Sequence, residues 1–157
     1  MPAALQADGY AALAGDLPGH GLSDDPWTPS RAVELVHALA AYARGEGTEK
    51  VFVIAAREMA TAAAIVRNVG ALITLSPLPF PLRGPDDTPM ALVLFGGTDD
   101  AAAERANAFF RQTRGWGVAS SFRTEAQGSA IFQSDWGRHA QEQALGFLRD
   151  YRTNPPR

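Results

Sequence analysis

The side chains here that could do chemistry are hydroxyls, carboxylates, three histidines and one unusually placed arginine. Thiols are missing altogether: the sequence has no cysteine. That excludes disulfides, thiolate catalysis and cysteine-held zinc or iron–sulfur centres. The histidines, His20, His37 and His139, show no metal-ligand spacing, so no metal and no cofactor is expected. His20 lies in a Pro-Gly-His-Gly loop, whereas His37 and His139 fall on helical patterns as surface or packing residues. Asp24-Asp25 and Asp86-Asp87 sit beside prolines and read as solvated turns. Gly96-Gly97 lacks both the G-x-G-x-x-G spacing and a P-loop lysine, so nucleotide binding is not expected. Arg57 follows the apolar run Val51–Ala55 and precedes the alanine-rich stretch Ala60–Arg67. Two readings of it stand. It could hold a small anion at a helix start, or it could pair with Asp100 or Glu58 as a structural cation.

The elements that must position these residues follow from hydrophobic period and punctuation. Strand-like runs occur at Tyr10–Leu17, Val51–Ala55, Ala71–Leu75, Met90–Phe95 and, more weakly, Gly117–Phe122. Helical patterns separate them, at about Pro29–Ala43, Ala60–Arg67, from Thr98 to about Gln112, and at Asp135–Tyr151. Thr28 is placed as an N-cap with Pro29 at the first helical position, and Gly45 and Gly47 end that helix. Ser76–Pro89 is rich in proline and cannot be helical. Strands alternating with helices predict a three-layer α/β/α sandwich on a mostly parallel sheet of about five strands. One domain is expected over residues 1–152, followed by a polar tail at 153–157.

The order of these motifs resembles the α/β-hydrolases, in particular their small lidless esterase-like members. Asp16–Ser23, DLPGHGLS, is similar to the family's D-x-P-G-H-G-x-S loop. Val53–Ala64 follows its nucleophile elbow and the helix behind it. Ala71–Pro77 resembles the next strand. Leu92–Asp100, LVLFGGTDD, resembles the strand and turn that present the catalytic acid. Glu125–Gly137 resembles the segment bearing the catalytic histidine. The resemblance implies the family fold, with a triad built around these turns.

The residues depart from that implication. The elbow reads Ala55-Ala56-Arg57-Glu58-Met59, with arginine at the serine position and methionine at the second glycine. A guanidinium is a permanent cation and no nucleophile at neutral pH. Ser129 aligns with the histidine, Gln127 is the alternative, and neither can act as a general base. Asp100, beside Asp99, is left at the acid position. The family's earlier strands, and the loop supplying half of its oxyanion hole, have no counterpart. Met1–Gly9 resembles only the end of a helix entering the first strand.

The expected function is therefore that of a non-catalytic, α/β-hydrolase-like binding module or subunit. Arg57, Glu58, Ser76, Asp100, Gln127 and Ser129 are its candidate ligand-binding residues. Two alternatives remain. One is an esterase-type hydrolase with a relocated or partner-completed site, using Ser76 or Ser129 with Asp100 and His20. The other is a small-anion-binding module centred on Arg57. A missing central strand would leave sheet edges unsatisfied, so a homo-oligomer or a heteromeric protein partner is expected.

Composition bounds the rest. A chain of 157 residues with 46% hydrophobic residues can bury a sizeable core. A formal charge of −3 without basic runs argues against nucleic acid and membrane surfaces. No apolar run approaches the roughly 20 residues that span a bilayer. The first residues lack a signal-peptide pattern, and a cytoplasmic location is expected.

Overall fold

A computed structural model describes residues 1–67, 69–78, 90–97, 100–113 and 117–153. Its element order is α1 (Pro2–Ala7), α2 (Pro29–Gly45), β1 (Phe52–Ala56), α3 (Glu58–Ala64), β2 (Ala71–Leu75), β3 (Met90–Gly96), α4 (Asp100–Thr113), β4 (Gly117–Phe122), a 3₁₀ turn (Gly128–Gln133) and α5 (Gly137–Thr153). The four strands form one parallel sheet in the order β1-β2-β3-β4.

Successive residues of a strand face opposite sides, so each strand feeds two cores. Leu72, Val93 and Phe95 face α2, α3 and α4, and pack with Val36, Ala60, Ala63 and Phe109. Ile73, Leu75, Leu92 and Leu94 face the other layer, against Ile131 of the 3₁₀ turn and Ala140, Ala144 and Leu148 of α5. All of β2 is buried, and all of β3 but Met90. Continuous apolar runs of this kind belong to strands covered on both faces. In α3 every residue after Glu58 is buried, and its alanines let the helix lie close to the sheet. α2 begins as its sequence implies: the Thr28 hydroxyl accepts a hydrogen bond from the Arg31 N–H at 3.2 Å, with proline in the first turn.

Two expectations need correction. The sheet has four strands, not about five, and Tyr10–Leu17 forms none of them. That segment carries no β-branched residue, and no described backbone hydrogen bond reaches Ala11–Asp16. It is a strap across the sheet edge. Tyr10 packs edge-on against Phe52 of β1 at 6.1 Å in the α5 layer, whereas Leu17 joins the core beneath α2. Ala11–Asp16 between them are exposed. The second correction is smaller: α3 ends at Ala64 rather than near Arg67. Most of the proline-rich Ser76–Pro89 segment, the Thr98-Asp99 helix start and the tail beyond Thr153 lie outside the described residues.

α1 buries no residue fully and is tied to α5 by charge. The Arg149 Nε donates to both carboxylate oxygens of Asp8, at 2.8 and 2.9 Å. This pairing holds the Asp8 carboxyl below its ordinary range: the hydrogen bond from Arg149 is the largest cause, opposed by desolvation and helped by the charges of Arg149 and Arg152. Beside it, the Arg152 guanidinium lies over the Tyr10 ring at 5.3 Å.

Candidate functional site at the carboxyl end of the sheet

In open parallel sheets, ligands bind beyond the carboxyl ends of the strands. Here that end also holds the backbone outliers. Among described residues, Arg57 and Ser76 are the only non-glycines with positive φ, and they directly follow β1 and β2. Arg57 has φ 56° and ψ −126°. Those angles match the first central position of a type II′ turn, which glycine normally fills. The turn is pinned on both sides. The Arg57 N–H donates to the Leu75 carbonyl at 3.0 Å, and its own carbonyl accepts from Ala60 and Leu78. The first carries the chain from strand to turn, the Ala60 contact starts α3, and the Leu78 contact ties the turn to the segment after β2.

Ser76 is 2% exposed, and its hydroxyl accepts a hydrogen bond from the Gly128 N–H at 3.1 Å. Gly128, with φ 58°, lies against Arg57: a Cβ there would sit 3.3 Å from the arginine Cγ. The Gln127 amide donates to the Gly96 carbonyl at 3.3 Å. Gly96 must itself be small, since a Cβ would lie 2.1 Å from the Ala126 carbonyl oxygen. The segment after β4 is thus clamped across the ends of β1, β2 and β3.

Arg57, Ser76, Gln127 and Gly128 therefore meet at one place, with Ser129 next in the chain. Arg57, Glu58, Gln127 and Ser129 are exposed, and Ser76 is sealed beneath them. No ion pair to Arg57 occurs among the described residues. Asp100 opens α4, and its side chain lies outside the described residues.

The histidines lie elsewhere. The His20 Nδ1 is 3.0 Å from the Pro18 carbonyl oxygen, and its ring stands edge-on to Trp27. His37 is exposed on α2. His139 packs edge-on against Phe122 and Trp136 and contacts Gln143. No described hydrogen bond joins any of them to Ser76 or Ser129. No group of acidic, histidine or cysteine side chains able to hold a metal occurs among the described residues.

One feature had no signal in the sequence. A cleft of about 330 Å³ opens between the loop after the strap and α2, lined by Asp16, Ser23, Asp25, Arg31, Glu34 and Leu35 among others. Three of its polar side chains are already engaged. Arg31 pairs with Asp25, and Asp16 accepts from the Leu22 N–H at 3.0 Å. Gly21 fits over Asp16 only because it has no Cβ. The Asp16–Ser23 motif is therefore a self-bonded loop, held by the Asp16 carboxylate, the His20 ring and two backbone hydrogen bonds. No helix among the described residues is long and apolar enough to cross a membrane. No family model, no curated protein and no solved structure matches the chain.

Proposed function

We propose that this chain is a non-catalytic relative of the α/β-hydrolases, which uses the scaffold as a binding module and works as a subunit of an oligomer or complex. The observation that carries the reading is the pair of angles at Arg57. A strained strand-to-helix turn is kept, and its exposed tip bears a cation in place of a nucleophile. Strain of this kind persists where surrounding structure over-determines it, and it clusters at functional positions. Hydrolysis by a relocated serine has less support. Ser76 is buried and its oxygen already accepts from Gly128, and neither Ser76 nor Ser129 has a described histidine partner.

A fluorophosphonate probe tests the reading directly. No labelling and no hydrolysis of p-nitrophenyl acetate is the expected result. Labelling at Ser76 or Ser129 overturns it in favour of a serine hydrolase.

Small-anion binding at Arg57 is a second reading, favoured by the exposed guanidinium without a described ion pair. Thermal shifts with acetate, citrate and inorganic phosphate, compared between the wild type and Arg57→Ala, decide it. Equal responses reject the site.

A further inference from the structure

We propose that the N-terminal arm, α1 with the strap that follows it, is a releasable cover over the edge of β1. It opens locally while the rest of the domain stays folded, and in the closed state it keeps this edge from pairing with another chain.

β1 ends the sheet, and its outer side is occupied by the chain itself. Tyr10 lies against Phe52 on the α5 face, and Leu17 joins the core on the α2 face, so the residues between them pass around the strand. They pass closely: a Cβ on Gly15 would lie 3.5 Å from the Leu39 side chain of α2. The strand beneath calls for such a cover. The Val51 carbonyl accepts from the Gly70 N–H, and the Arg57 N–H donates to the Leu75 carbonyl, so both bond toward β2. The direction alternates along a strand, and Phe52, Ile54 and Ala56 therefore turn their N–H and C=O groups away from β2. From Val51 to Ala56 there is no charge and no proline, the usual guards of an edge. A loop laid across the edge is the remaining guard.

The cover is held at its ends and not along its length. Ala11–Asp16 are exposed, and no described backbone hydrogen bond reaches them. α1 buries no residue fully, and Met1 and Leu5 are only partly buried against the core under α5. Two polar fastenings add to that packing. Asp8 pairs with Arg149, at 2.8 and 2.9 Å, and Tyr10 stands between the Phe52 ring and the Arg152 guanidinium. The Tyr10 fastening is incomplete, since its hydroxyl oxygen is buried with no hydrogen-bond partner among the described residues. Opening delivers that hydroxyl to water and offsets part of the packing lost. A segment with few buried contacts and no ladder opens at a lower free energy than the whole fold. Leu17 stays in its own core, so the arm lifts from the α5 side.

Native-state hydrogen exchange on the full chain, read residue by residue by NMR, gives the first test. The Asp8, Gly9 and Tyr10 N–H groups are bonded within the arm, whereas those of Arg57 and Ser76 are bonded from strand end to strand end. The arm amides should exchange through an opening indifferent to low urea, and the Ser76 amide only through the urea-dependent global one. Asp8→Lys sets a cation against Arg149 and Arg152, and 0.5 M salt screens the wild-type pair. Both should speed the arm amides, the reversal by roughly fivefold, with Ser76 still slow. Asp8→Lys with Arg149→Asp should restore the protection. Sedimentation velocity over a range of concentrations gives the second test: the reversal should add mass above that of the wild type, and the double variant should not. Arm amides that share the rate and urea dependence of Ser76, or that ignore the reversal, overturn the local opening. An opened arm without added mass overturns the guarding role. The fluorophosphonate outcome is independent of all these results, so failure here is distinct from failure of the non-catalytic reading.

Discussion

Replacing Arg57 by glycine should make this protein more stable, although it deletes the longest side chain at the candidate site. A non-glycine residue held in a sparsely populated region costs about 1–3 kcal/mol. The angles at Arg57, φ 56° and ψ −126°, lie outside the left-handed helical well, where ψ is positive. Glycine takes such angles without penalty, but it loses about 0.5–1 kcal/mol of backbone entropy on folding. The arginine stem also covers Gly128, so some packing goes with it. The cleaner comparison is therefore Arg57→Gly against Arg57→Ala. Both delete the stem, and only glycine relieves the strain. Glycine should be the more stable of the two by about 0.5–2 kcal/mol.

Urea denaturation reads this difference. With slopes of about 1–3 kcal/mol per molar, the two midpoints should separate by roughly 0.5 M. On heating, a difference of about 1 kcal/mol corresponds to ~2–4 °C in a chain of this size. Alanine at or above glycine in stability would refute the reasoning. It would mean that the turn relaxes once the arginine is gone, so that the strain belongs to the side chain and not to the ladder that fixes the turn.

The remaining predictions concern charge and space. Because Arg149 lowers the folded-state pKa of Asp8, the ion pair contributes stability above the ordinary carboxylate range. That contribution is lost as pH falls through the lowered folded value, and Asp8→Asn should flatten the acid limb of a stability–pH curve while 0.5 M salt weakens the wild-type effect. Gly146 lies inside α5, and a Cβ there meets nothing within 4 Å. Gly146→Ala should therefore raise stability by about 0.5–1 kcal/mol in urea. Gly96→Ala should do the opposite and by more, since its Cβ would collide with the Ala126 carbonyl.

What could be read from the chain divides along physical lines. The apolar runs of β2 and β3 were legible because strands buried on both faces leave nearly continuous hydrophobic sequence, whereas β4 is largely exposed and reads more weakly. The start of α2 was legible because capping is local: Thr28 needs only the N–H three residues on. Tyr10–Leu17 misled because its apolar run is built from alanine, leucine and glycine, and a strand also needs a neighbour to bond. None of the described strands reaches it. At the site, the turn at Arg57 could be placed from the sequence, since a strand must give way to a helix there. The positive φ of Ser76 could not, because its partners are distant in the chain: its N–H donates to the Leu94 carbonyl at 2.8 Å, and its hydroxyl accepts from the Gly128 N–H 52 residues further along. The cleft beside Asp16 was equally hidden, since its walls come from a loop and a helix that meet only in the fold.

Ser76 separates a relic of hydrolysis from a structural post. As a nucleophile it would need a base within hydrogen-bond reach and access for a substrate. It has 2% exposure, and its described side-chain contact is the Gly128 N–H, for which it serves as acceptor. That contact fastens the segment after β4 to the end of β2. Ser76→Ala leaves a buried N–H without a partner and keeps the φ of 48° on a residue with a Cβ. A loss of about 1–3 kcal/mol follows from the orphaned donor alone. Ser76→Gly loses the same hydrogen bond but frees the backbone, and it should be the milder variant. If the two cost the same, the angle at Ser76 carries no strain. If neither costs anything, water or a shifted side chain satisfies Gly128, and the clamp across the strand ends is held by Gln127 and packing instead.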